Sequence, residues 1–372
     1  MLRHLKDTIA LCPTCYKHLD AEIVEENGKV YISRECEQHG LVTSLFENDF
    51  DFYHGQTITP GYVYKHKAVA FDVTNRCNLA CPNCYQIPDK SPDKPEFDVL
   101  REIGEVDMSI PVKIMLAGAE VTMRKNLPSL MSAVKRVYNV NDITLLTNGV
   151  AFGKMHYLED ILATGTLGKT IIGLNHWSYQ GPTVHKHQLQ GIDNLNEHDI
   201  FPTVSYTLDN FSYLDEVLEM SLNMFNKGKI QLCRVRPGSH IGRSAEKKVV
   251  TLSDTIQLVR EHALRNGMHF AFANGENKPY HQNCTLNEMP IIVEHWPNVS
   301  EIELHSCTSG PYARFIDGGI TNYYHQIVLR DAYVNKKLPR LDTIPDSFLR
   351  DVIHGKPSPK KHKHSIDIQK MA

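Results

Sequence analysis

Three cysteines with close, uneven spacing are the residues best suited to chemistry. Cys77, Cys81 and Cys84 follow a C-x3-C-x2-C pattern, and the apolar segment Ala68–Val73 just before them indicates a buried strand. Three thiolates on one tight loop can hold three irons of a cubane cluster and leave the fourth iron open to another ligand. A structural zinc ion would need a fourth ligand nearby, and the residues that follow are poor candidates. The pattern therefore favours an iron–sulfur cluster.

A C-x3-C-x2-C loop directly after a strand resembles the signature of the radical S-adenosylmethionine (SAM) enzymes. The resemblance implies an enzyme with a [4Fe-4S] cluster on Cys77, Cys81 and Cys84, whose open iron binds SAM. It also implies that one electron splits SAM into methionine and a 5′-deoxyadenosyl radical, which abstracts a hydrogen atom from the substrate. A low-potential donor such as flavodoxin or ferredoxin would supply that electron. Many members place an aromatic residue before the third cysteine, whereas here Asn83 precedes it and Tyr85 follows it.

A second group of possible metal ligands lies near the start of the chain. The ligands form a C-x2-C pair and a C-x2-H pair: Cys12, Cys15, Cys36 and His39. Between the pairs, Asn27-Gly28 predicts a β-hairpin turn. Two pairs that meet across a hairpin are typical of zinc ribbons, and so small a unit needs its metal to fold. A structural zinc is expected, with a rubredoxin-like iron or unligated buried cysteines as alternatives and His18 as the rival ligand to His39.

Strand-like and helix-like segments alternate over residues 65–250. The predicted strands are Ala68–Val73, Pro111–Ala117, Ile143–Thr147, Lys169–Leu174, Thr203–Leu208 and Lys229–Val235. Such alternation predicts βα units around a parallel sheet, which makes the fold class α/β. Six units match the partial (β/α)6 barrel of the radical SAM family. In barrels of this kind the functional residues lie at the C-terminal ends of the strands.

The end of the second predicted strand resembles a SAM-binding segment of the family. Gly118, Ala119 and Glu120 correspond to its Gly-Gly-Glu-Pro, with Ala119 in place of the second glycine and Val121 in place of the proline. The resemblance implies that small residues let backbone groups approach the SAM ammonium, and that Glu120 accepts a hydrogen bond from it. An ordinary strand-to-helix turn is the alternative. Tyr85, beside the third cysteine, is a further candidate for the cofactor site.

Other strand ends supply the remaining SAM candidates. Asn148 lies in a Thr-Asn-Gly segment that resembles one facing the cofactor in the family, and it is expected to bond SAM or substrate. Asn175 and Ser205 are candidates for the ribose hydroxyls. Arg236 is a candidate for the methionine carboxylate, with a surface arginine as the alternative. Gln190 stands where family members have an arginine.

The last third of the chain is expected to form an α+β extension on the substrate side. Cys307 precedes a predicted hairpin around Asp317-Gly318-Gly319, which resembles the hairpin that carries auxiliary clusters in peptide-modifying members. The cysteine expected after its second strand is absent. Cys233, Cys284 and Cys307 are dispersed, and such cysteines are more often buried apolar residues than cluster ligands.

Four regions are predicted along the chain. They are a zinc-ribbon-like module at 1–60, the barrel at 65–250, the extension at 251–345 and a basic tail at 346–372 that is expected to be disordered. The net charge of −3 argues against nucleic acid and against an anionic membrane surface as partners. No apolar run reaches transmembrane length, and the first residues have no signal-peptide core. Six of the nine cysteines fall in two metal-like groups, which indicates a reducing cytoplasm and not a disulfide framework.

These patterns predict a radical SAM enzyme that acts on a small-molecule or lipid substrate. The N-terminal Cys-Pro-x-Cys knuckle resembles a branch that includes archaeal tetraether lipid synthases and pterin methyltransferases. A maturase that modifies a peptide or protein is the second possibility, because of the Cys307 hairpin. A zinc-ribbon binding protein on a degenerate barrel is the third, although the intact cysteine loop counts against it. The sequence assigns no residue to catalysis.

Overall fold

The structure, a computed structural model, contains two β-sheets in its described part, one of four strands and one of eleven. The described residues are 2–15, 17–55, 67–86, 88–106, 112–174, 180–208, 210–238, 250–273, 280–303, 312–315 and 318–322. The α/β class and the parallel-rich sheet are as the sequence predicts, and the predicted N-terminal hairpin is part of a larger antiparallel sheet.

The N-terminal sheet is an antiparallel meander. Its strands are β1 (Arg3–Leu11), β2 (His18–Glu26), β3 (Lys29–Cys36) and β4 (Gly40–Glu47). The predicted hairpin is confirmed as β2 and β3, and its turn residues Asn27 and Gly28 take φ values of 55° and 77°. The sequence did not indicate β1 and β4. A small core lies beneath the sheet: Ala10, Ala21, Ile23, Val30 and Ile32. Helix α1 (Phe50–Gly55) follows it.

The large sheet is built on six parallel strands that pair in chain order. They are β5 (Lys67–Asp72), β6 (Val112–Ala117), β7 (Ile143–Thr147), β8 (Leu167–Gly173), β9 (Thr203–Leu208) and β10 (Leu232–Pro237). This confirms the predicted partial (β/α)6 barrel. Parallel pairing in chain order brings the C-terminal strand ends to one edge, where the cysteine loop begins.

Helices cover one face of this sheet. They are α2 (Glu96–Gly104), α3 (Leu127–Tyr138), α4 (Met155–Leu162), α5 (Pro182–Asn196), α6 (Leu214–Asn226) and α7 (Leu252–Arg265). Helix α3 shows why they pack: its apolar residues recur at helical spacing, and four of them, Leu127, Leu130, Met131 and Val134, are buried. Helix α7 begins with a capping box between Thr251 and Asp254.

Strand alternation separates an outer face, which packs on the helices, from an inner face. On β9 and β10 the outer residues belong to the main hydrophobic core: Val204, Tyr206, Leu208, Cys233 and Val235. The intervening residues Ser205, Thr207, Arg234 and Arg236 therefore lie on the inner face. Cys233 is thus a buried apolar residue, as expected for a dispersed cysteine. Cys284 is buried in the same core, and Cys307 lies outside the described residues.

The C-terminal extension widens the sheet at both edges. Its strands are β11 (Phe270–Phe272), β12 (His281–Leu286), β13 (Met289–Glu294), β14 (Tyr312–Phe315) and β15 (Gly318–Asn322). Strand β13 pairs in parallel with β10, and β12 and β11 follow it outward. The predicted hairpin is present as β14 and β15, and β14 pairs in parallel with β5 at the opposite edge. The four predicted regions remain predictions, and 346–372 lies outside the described residues.

Candidate functional site

The cysteine loop leaves β5 without regular secondary structure, so side chains from other elements hold it in place. Arg76 pairs with Asp93 at 2.6 Å and donates to the Met123 carbonyl at 2.6 Å. Asn83 donates to the carbonyl of Thr207, at the end of β9, at 2.9 Å. Asn83, which replaces the usual aromatic residue, therefore ties the loop to the far side of the barrel.

The sulfur atoms of this loop have the surroundings that a thiolate cluster requires. The Leu79 N–H donates to Cys77 Sγ at 3.3 Å, and Gln180 Nε2 donates to Cys81 Sγ at 2.6 Å. Burial raises the pKa of Cys77 to about 12, and the charge of Glu120 adds to the rise, so a bound cation is needed to keep the thiolate. Among the described residues, the three sulfurs do not form a group with all ligand atoms within 4.8 Å of one another.

The ends of β5 and β6 are locked together at Gly118. Gly118 has φ of 141°, and a Cβ atom there would lie 2.3 Å from the Thr74 carbonyl oxygen. The next residue, Ala119, donates its N–H to the same oxygen at 3.0 Å. Only glycine allows this approach, because another side chain would be strained by φ and would clash with backbone. The predicted small-residue segment therefore holds Glu120 against the start of the cysteine loop.

Glu120 is 2% exposed and accepts hydrogen bonds from neutral donors. Its Oε1 accepts from Thr122 N at 3.0 Å, Thr122 Oγ1 at 2.5 Å and Thr147 Oγ1 at 2.5 Å. Its Oε2 accepts from the Asn148 N–H at 2.6 Å. Burial raises the pKa of Glu120 despite these hydrogen bonds. The carboxylate thus joins the predicted segments at 118–120 and 147–149, and Oε2 retains a lone pair for another donor.

Asn148 contacts the cysteine loop. Its Nδ2 donates to Asn78 Oδ1 at 2.8 Å, and its own Oδ1 accepts from the Val150 N–H at 3.1 Å. Gln188 on α5 donates to the Asn148 carbonyl at 2.8 Å. Asn148 is therefore fixed between the cysteine loop, the end of β7 and α5.

Of the two ribose candidates, Ser205 lies within the described residues and Asn175 does not. Ser205 is 4% exposed, and its hydroxyl has no hydrogen-bond partner in the described part of the chain. An orphaned buried hydroxyl on the inner face is a polar group that a ligand can satisfy. Asn175 lies outside the described residues. Gln190 donates to Asn194 within α5, and its neighbour Gly191 lets α5 approach the Gly149 carbonyl.

Tyr85 and Arg236 both contact Trp296, a residue that sequence reasoning did not single out. The edge of one ring meets the face of the other in the Tyr85–Trp296 pair, with centroids 4.9 Å apart. The Arg236 guanidinium lies 3.8 Å from the Trp296 ring centroid, and its Nε donates to Thr207 Oγ1 at 2.8 Å. Both candidates therefore lie beside the cysteine loop, with Arg236 already bonded to protein groups.

A charged cluster on the inner face of β10, β12 and β13 was missed by sequence reasoning. Glu294 lies 3.3 Å from Arg234, 3.4 Å from Arg236 and 3.6 Å from His281. Burial alone would raise the pKa of Glu294, but Arg234, His281 and Arg236 hold it well below its usual range. The spacing of Arg234 and Arg236 on one face of a strand was the available signal. Strand β12 was not predicted, so the partners of these arginines were not apparent.

The four ligands of the N-terminal module converge on one point. The Sγ atoms of Cys12, Cys15 and Cys36 and a ring nitrogen of His39 all lie within 4.8 Å of one another. His39 Nδ1 is 3.5 Å from Cys12 Sγ and 3.4 Å from Cys36 Sγ. This set suits a tetrahedral zinc ion. The grouping includes His39 and not the rival His18.

This module docks on the segment that follows β13. Arg34 Nε donates to the Leu11 carbonyl at 3.0 Å, and its Nη2 donates to the Ser300 carbonyl at 2.9 Å. Thr8 donates to Glu303 at 2.7 Å, and Ala10 forms a β-bridge with Glu303. The N-terminal sheet is thereby joined to the stretch of chain that also carries Trp296.

Comparison with known proteins supports both the N-terminal zinc ribbon and the radical SAM barrel. Residues 4–48 match the family model of the HMPTM N-terminal zinc ribbon domain. The chain is 31% identical to 7,8-dihydro-6-hydroxymethylpterin dimethyltransferase of Methanocaldococcus jannaschii, over 43% of this chain and 37% of that protein. It is 26% identical to GTP 3′,8-cyclase of Peptoclostridium acidaminophilum, over 40% of this chain and 54% of that protein. The chain thus covers well under two thirds of either relative.

The fold also resembles a solved structure. Streptococcus suis SuiB bound to the precursor peptide SuiA superposes with a TM-score of 0.54 at 15% identity, over 85% of this chain and 71% of that chain. At this identity the likeness concerns the fold.

Together with the cysteine loop at the end of the first barrel strand, these findings place the chain among the radical SAM enzymes. Within that class it is a member that carries an N-terminal zinc ribbon, and its cofactors are a [4Fe-4S] cluster, SAM and a structural zinc. No helix in the described ranges is long and apolar enough to span a membrane.

Proposed function

We propose that this protein binds its [4Fe-4S] cluster through Cys77, Cys81 and Cys84 and uses SAM to abstract a hydrogen atom from a small-molecule substrate. When bound, the cluster and SAM supply a one-electron cleavage that yields a 5′-deoxyadenosyl radical. The observation that carries the proposal is the position of the cysteine loop. It leaves the first strand of the barrel and contacts Asn148 and Thr207 at the ends of two others through Asn78 and Asn83.

The SAM site in this proposal lies at the ends of β6 to β9. Glu120 receives only neutral donors in the described structure, so a nearby ammonium would relieve the unfavourable burial of its charge. The backbone at Gly118 and Ala119 and the side chain of Asn148 complete the methionine end. The Ser205 hydroxyl, buried and unpartnered, would meet the ribose.

Asn175, Tyr85 and Arg236 keep the roles that the sequence suggests, as further SAM contacts. For Arg236 this requires that it turn from its present partners, Thr207 and Glu294, or bind the methionine carboxylate alongside them. Tyr85 would contribute its ring at the edge of the cluster loop. The residues of the chain therefore act by orienting SAM and by excluding water from a buried carboxylate.

The substrate we propose is a fused heterocycle of the pterin type. The two relatives act, by name, on a hydroxymethylpterin and on GTP, and both molecules contain a 2-amino-4-oxopyrimidine ring. The N-terminal zinc ribbon match points to the pterin branch in particular. A peptide substrate is less favoured, because the resemblance to SuiB concerns the fold alone. A lipid remains the sequence-based alternative.

The decisive experiment measures the origin of hydrogen in 5′-deoxyadenosine. The anaerobically reconstituted protein is incubated with SAM, dithionite and a 7,8-dihydropterin carrying deuterium on its ring and side-chain carbons, and the nucleoside is analysed by mass spectrometry. Deuterium in 5′-deoxyadenosine is the expected result, and the Cys77→Ala/Cys81→Ala/Cys84→Ala variant serves as the control. Unlabelled 5′-deoxyadenosine would exclude this substrate while leaving the SAM cleavage standing. If wild type forms none with any candidate, the proposed activity is wrong.

Flavodoxin or ferredoxin is the proposed electron donor, in place of dithionite. Replacement of dithionite by reduced flavodoxin should preserve 5′-deoxyadenosine formation in wild type.

The zinc ion is proposed to bind Cys12, Cys15, Cys36 and His39 as a closed structural site. Elemental analysis should find one zinc per chain in wild type and in Cys81→Ala, and much less in Cys36→Ala. Iron content should be the same in wild type and Cys36→Ala and much lower in Cys81→Ala. Equal zinc in all three proteins would refute the assignment.

A further inference from the structure

The side chains on the inner face of the barrel change from small or apolar to mostly polar between β8 and β9. On β6 to β8 the inner positions nearest the C-terminal ends are small or apolar: Ala117, Leu146, Ile171 and Gly173. From β9 onward they are mostly polar: Ser205, Thr207, Arg234, Arg236, Glu294, His281, Asn283 and Thr285. Of the proposed SAM contacts, Gly118–Glu120 and Asn148 lie on the first side, and Ser205 and Arg236 lie on the polar strands. The polar positions that these contacts do not use, at Arg234 and on β12 and β13, form the wall left for the substrate.

This polar wall holds more positive than negative charge. Arg234 and Arg236 supply two guanidinium groups, and Glu294 supplies the single carboxylate between them. The other inner positions of these strands, apart from the titratable ring of His281, carry no charge. Buried charges are normally compensated, so one positive charge in the wall lacks a counter-charge within the described structure.

Arg234 is the less fully bonded of the two guanidinium groups, because its ion pair with Glu294 is its one contact of this kind within the described structure. Its side chain is 20% exposed, and its Nε lies 3.3 Å from Glu294 but without the alignment of a hydrogen bond. Arg236, by contrast, is bonded to Thr207 and Glu294 and covered by Trp296. The buried Nε of Arg234 makes no hydrogen bond, and its one carboxylate is shared with Arg236 and His281, so the group can take a further anionic acceptor.

Strand register places this fork next to a second unpartnered group. Arg234 is the register partner of Ser205 on β9 and of Ile292 on β13. The Ser205 hydroxyl is buried and has no partner in the described part of the chain. Two neighbouring strands therefore present, at paired positions, a hydroxyl without a hydrogen-bond partner and a guanidinium whose Nε makes no hydrogen bond.

We infer that Arg234 binds an anionic group of the substrate, a phosphate or a carboxylate, on the wall formed by β10, β12 and β13. The fork of the guanidinium matches the paired oxygens of either group. Glu294 pairs with the Arg234 Nε and holds the guanidinium in place. Since Ser205 is the proposed ribose contact, the anion would lie one strand away from the SAM ribose. The inference rests on the proposed function, because it assigns this wall to the substrate.

Anion binding to the holoenzyme tests the inference. Isothermal titration of the reconstituted, SAM-loaded protein with sodium pyrophosphate, and separately with malonate, distinguishes a phosphate from a carboxylate ligand. We expect saturable binding of at least one anion, and at least tenfold weaker binding by Arg234→Gln. Arg234→Lys should fall between them, because lysine keeps the charge without the fork. The matched control Arg265→Gln, on the exposed side of α7, should bind like wild type.

Three results would overturn the inference: no saturable binding of either anion to wild type, wild-type anion affinity in Arg234→Gln, or an equal loss of SAM affinity in that variant. The last result would assign Arg234 to SAM. If Arg234→Gln fails to incorporate the cluster, Arg234→Lys alone decides, with at least threefold weaker anion binding expected. These outcomes are independent of the proposed activity, which is judged by 5′-deoxyadenosine formation.

Discussion

Two buried glutamates lie on opposite sides of the barrel, and their surroundings are opposite in charge. Glu120, at the end of β6, accepts hydrogen bonds from neutral hydroxyl and amide groups, and burial raises its pKa. Glu294, at the end of β13, lies among two arginines and His281, and these hold its pKa low. The same residue type thus creates a site that lacks a cation and a site that has cations in excess.

This difference suggests how one open barrel separates its two ligands. A zwitterionic cofactor with an ammonium group is favoured beside Glu120, whereas an anion is favoured beside Arg234. Either ligand placed on the wrong side would meet an unfavourable charge in a poorly solvated environment. The contrast depends on a few side chains, so single substitutions can remove either half of it.

The largest effect is expected from Glu294→Gln. Two arginines would lose their buried counter-charge, and the free energy of unfolding should fall by about 3–5 kcal/mol. Urea denaturation at pH 7 measures this change. The control Asp193→Asn removes a carboxylate from the surface pair with Lys229, and its effect should stay within about 1 kcal/mol. Equal losses in the two variants would show that the Glu294 cluster is no more than a surface-like pair.

Glu120→Gln should act on the cofactor instead. Glutamine keeps one oxygen for the threonine donors but would turn an NH2 group toward the Asn148 N–H and the proposed SAM ammonium. SAM affinity should fall by about ten- to a hundredfold, or about 1.5–3 kcal/mol, with iron content unchanged. Equilibrium dialysis of SAM on the reconstituted protein measures it, with Glu261→Gln on α7 as the control. Wild-type affinity in Glu120→Gln would remove this residue from the SAM site.

The pH dependence of stability should have opposite signs for the two residues. Both start from an ordinary value of 4.5, with Glu294 lowered and Glu120 raised in the folded protein. The stability from Glu294 is present above pH 4.5 and is lost below it, by about 1.4 kcal/mol per pH unit. The stability gap between wild type and Glu294→Gln should therefore shrink as pH falls below 4.5.

For Glu120 the folded state binds the proton more readily than the unfolded state, so its contribution to stability grows as pH falls toward 4.5. The free energy of unfolding of wild type should therefore rise relative to that of Glu120→Gln as pH falls toward 4.5. Denaturation curves of the cluster-free chain at several pH values measure both gaps. If the two gaps move in the same direction, the contrast between the glutamates is wrong.

The smallest effect is expected from Asn148→Ala. The change removes neutral hydrogen bonds to Asn78 and Val150, each worth about 0.5–1.5 kcal/mol, and leaves the backbone bond to Glu120 in place. SAM affinity in the same dialysis assay should fall by less than about tenfold. A loss larger than that of Glu120→Gln would make Asn148, and not Glu120, the main determinant of SAM binding.

The sequence was informative where local pattern decides structure. The spacing of Cys77, Cys81 and Cys84 after an apolar run, and the βα alternation that follows, predicted the barrel and the place of its cysteine loop. Asn27-Gly28 predicted the hairpin between the two ligand pairs, because few other dipeptides suit that turn. In each case the information lies within a few consecutive residues.

The sequence was uninformative where the structure depends on pairing between segments that are far apart in the chain. The pairing of β14 with β5 joins segments far apart in the chain, and no local pattern encodes it. The Glu294 cluster forms only because β13 lies parallel to β10, with β12 beyond it. Glu120 was identified by resemblance, but its bonds to Thr147 and Asn148 require the neighbouring strand. Charge clusters built across strands are therefore seen only in the folded chain.

The docking of the zinc ribbon has a consequence for the order in which the chain is made. Arg34 bonds to Ser300, 266 residues later, so the ribbon leaves the ribosome long before its partner segment exists. At about 5–20 residues per second, the interval is roughly 13–50 s. During that time the small core of the ribbon has no docking surface. A metal ion bound early would keep this first module folded and unaggregated until the last barrel strands arrive to receive it.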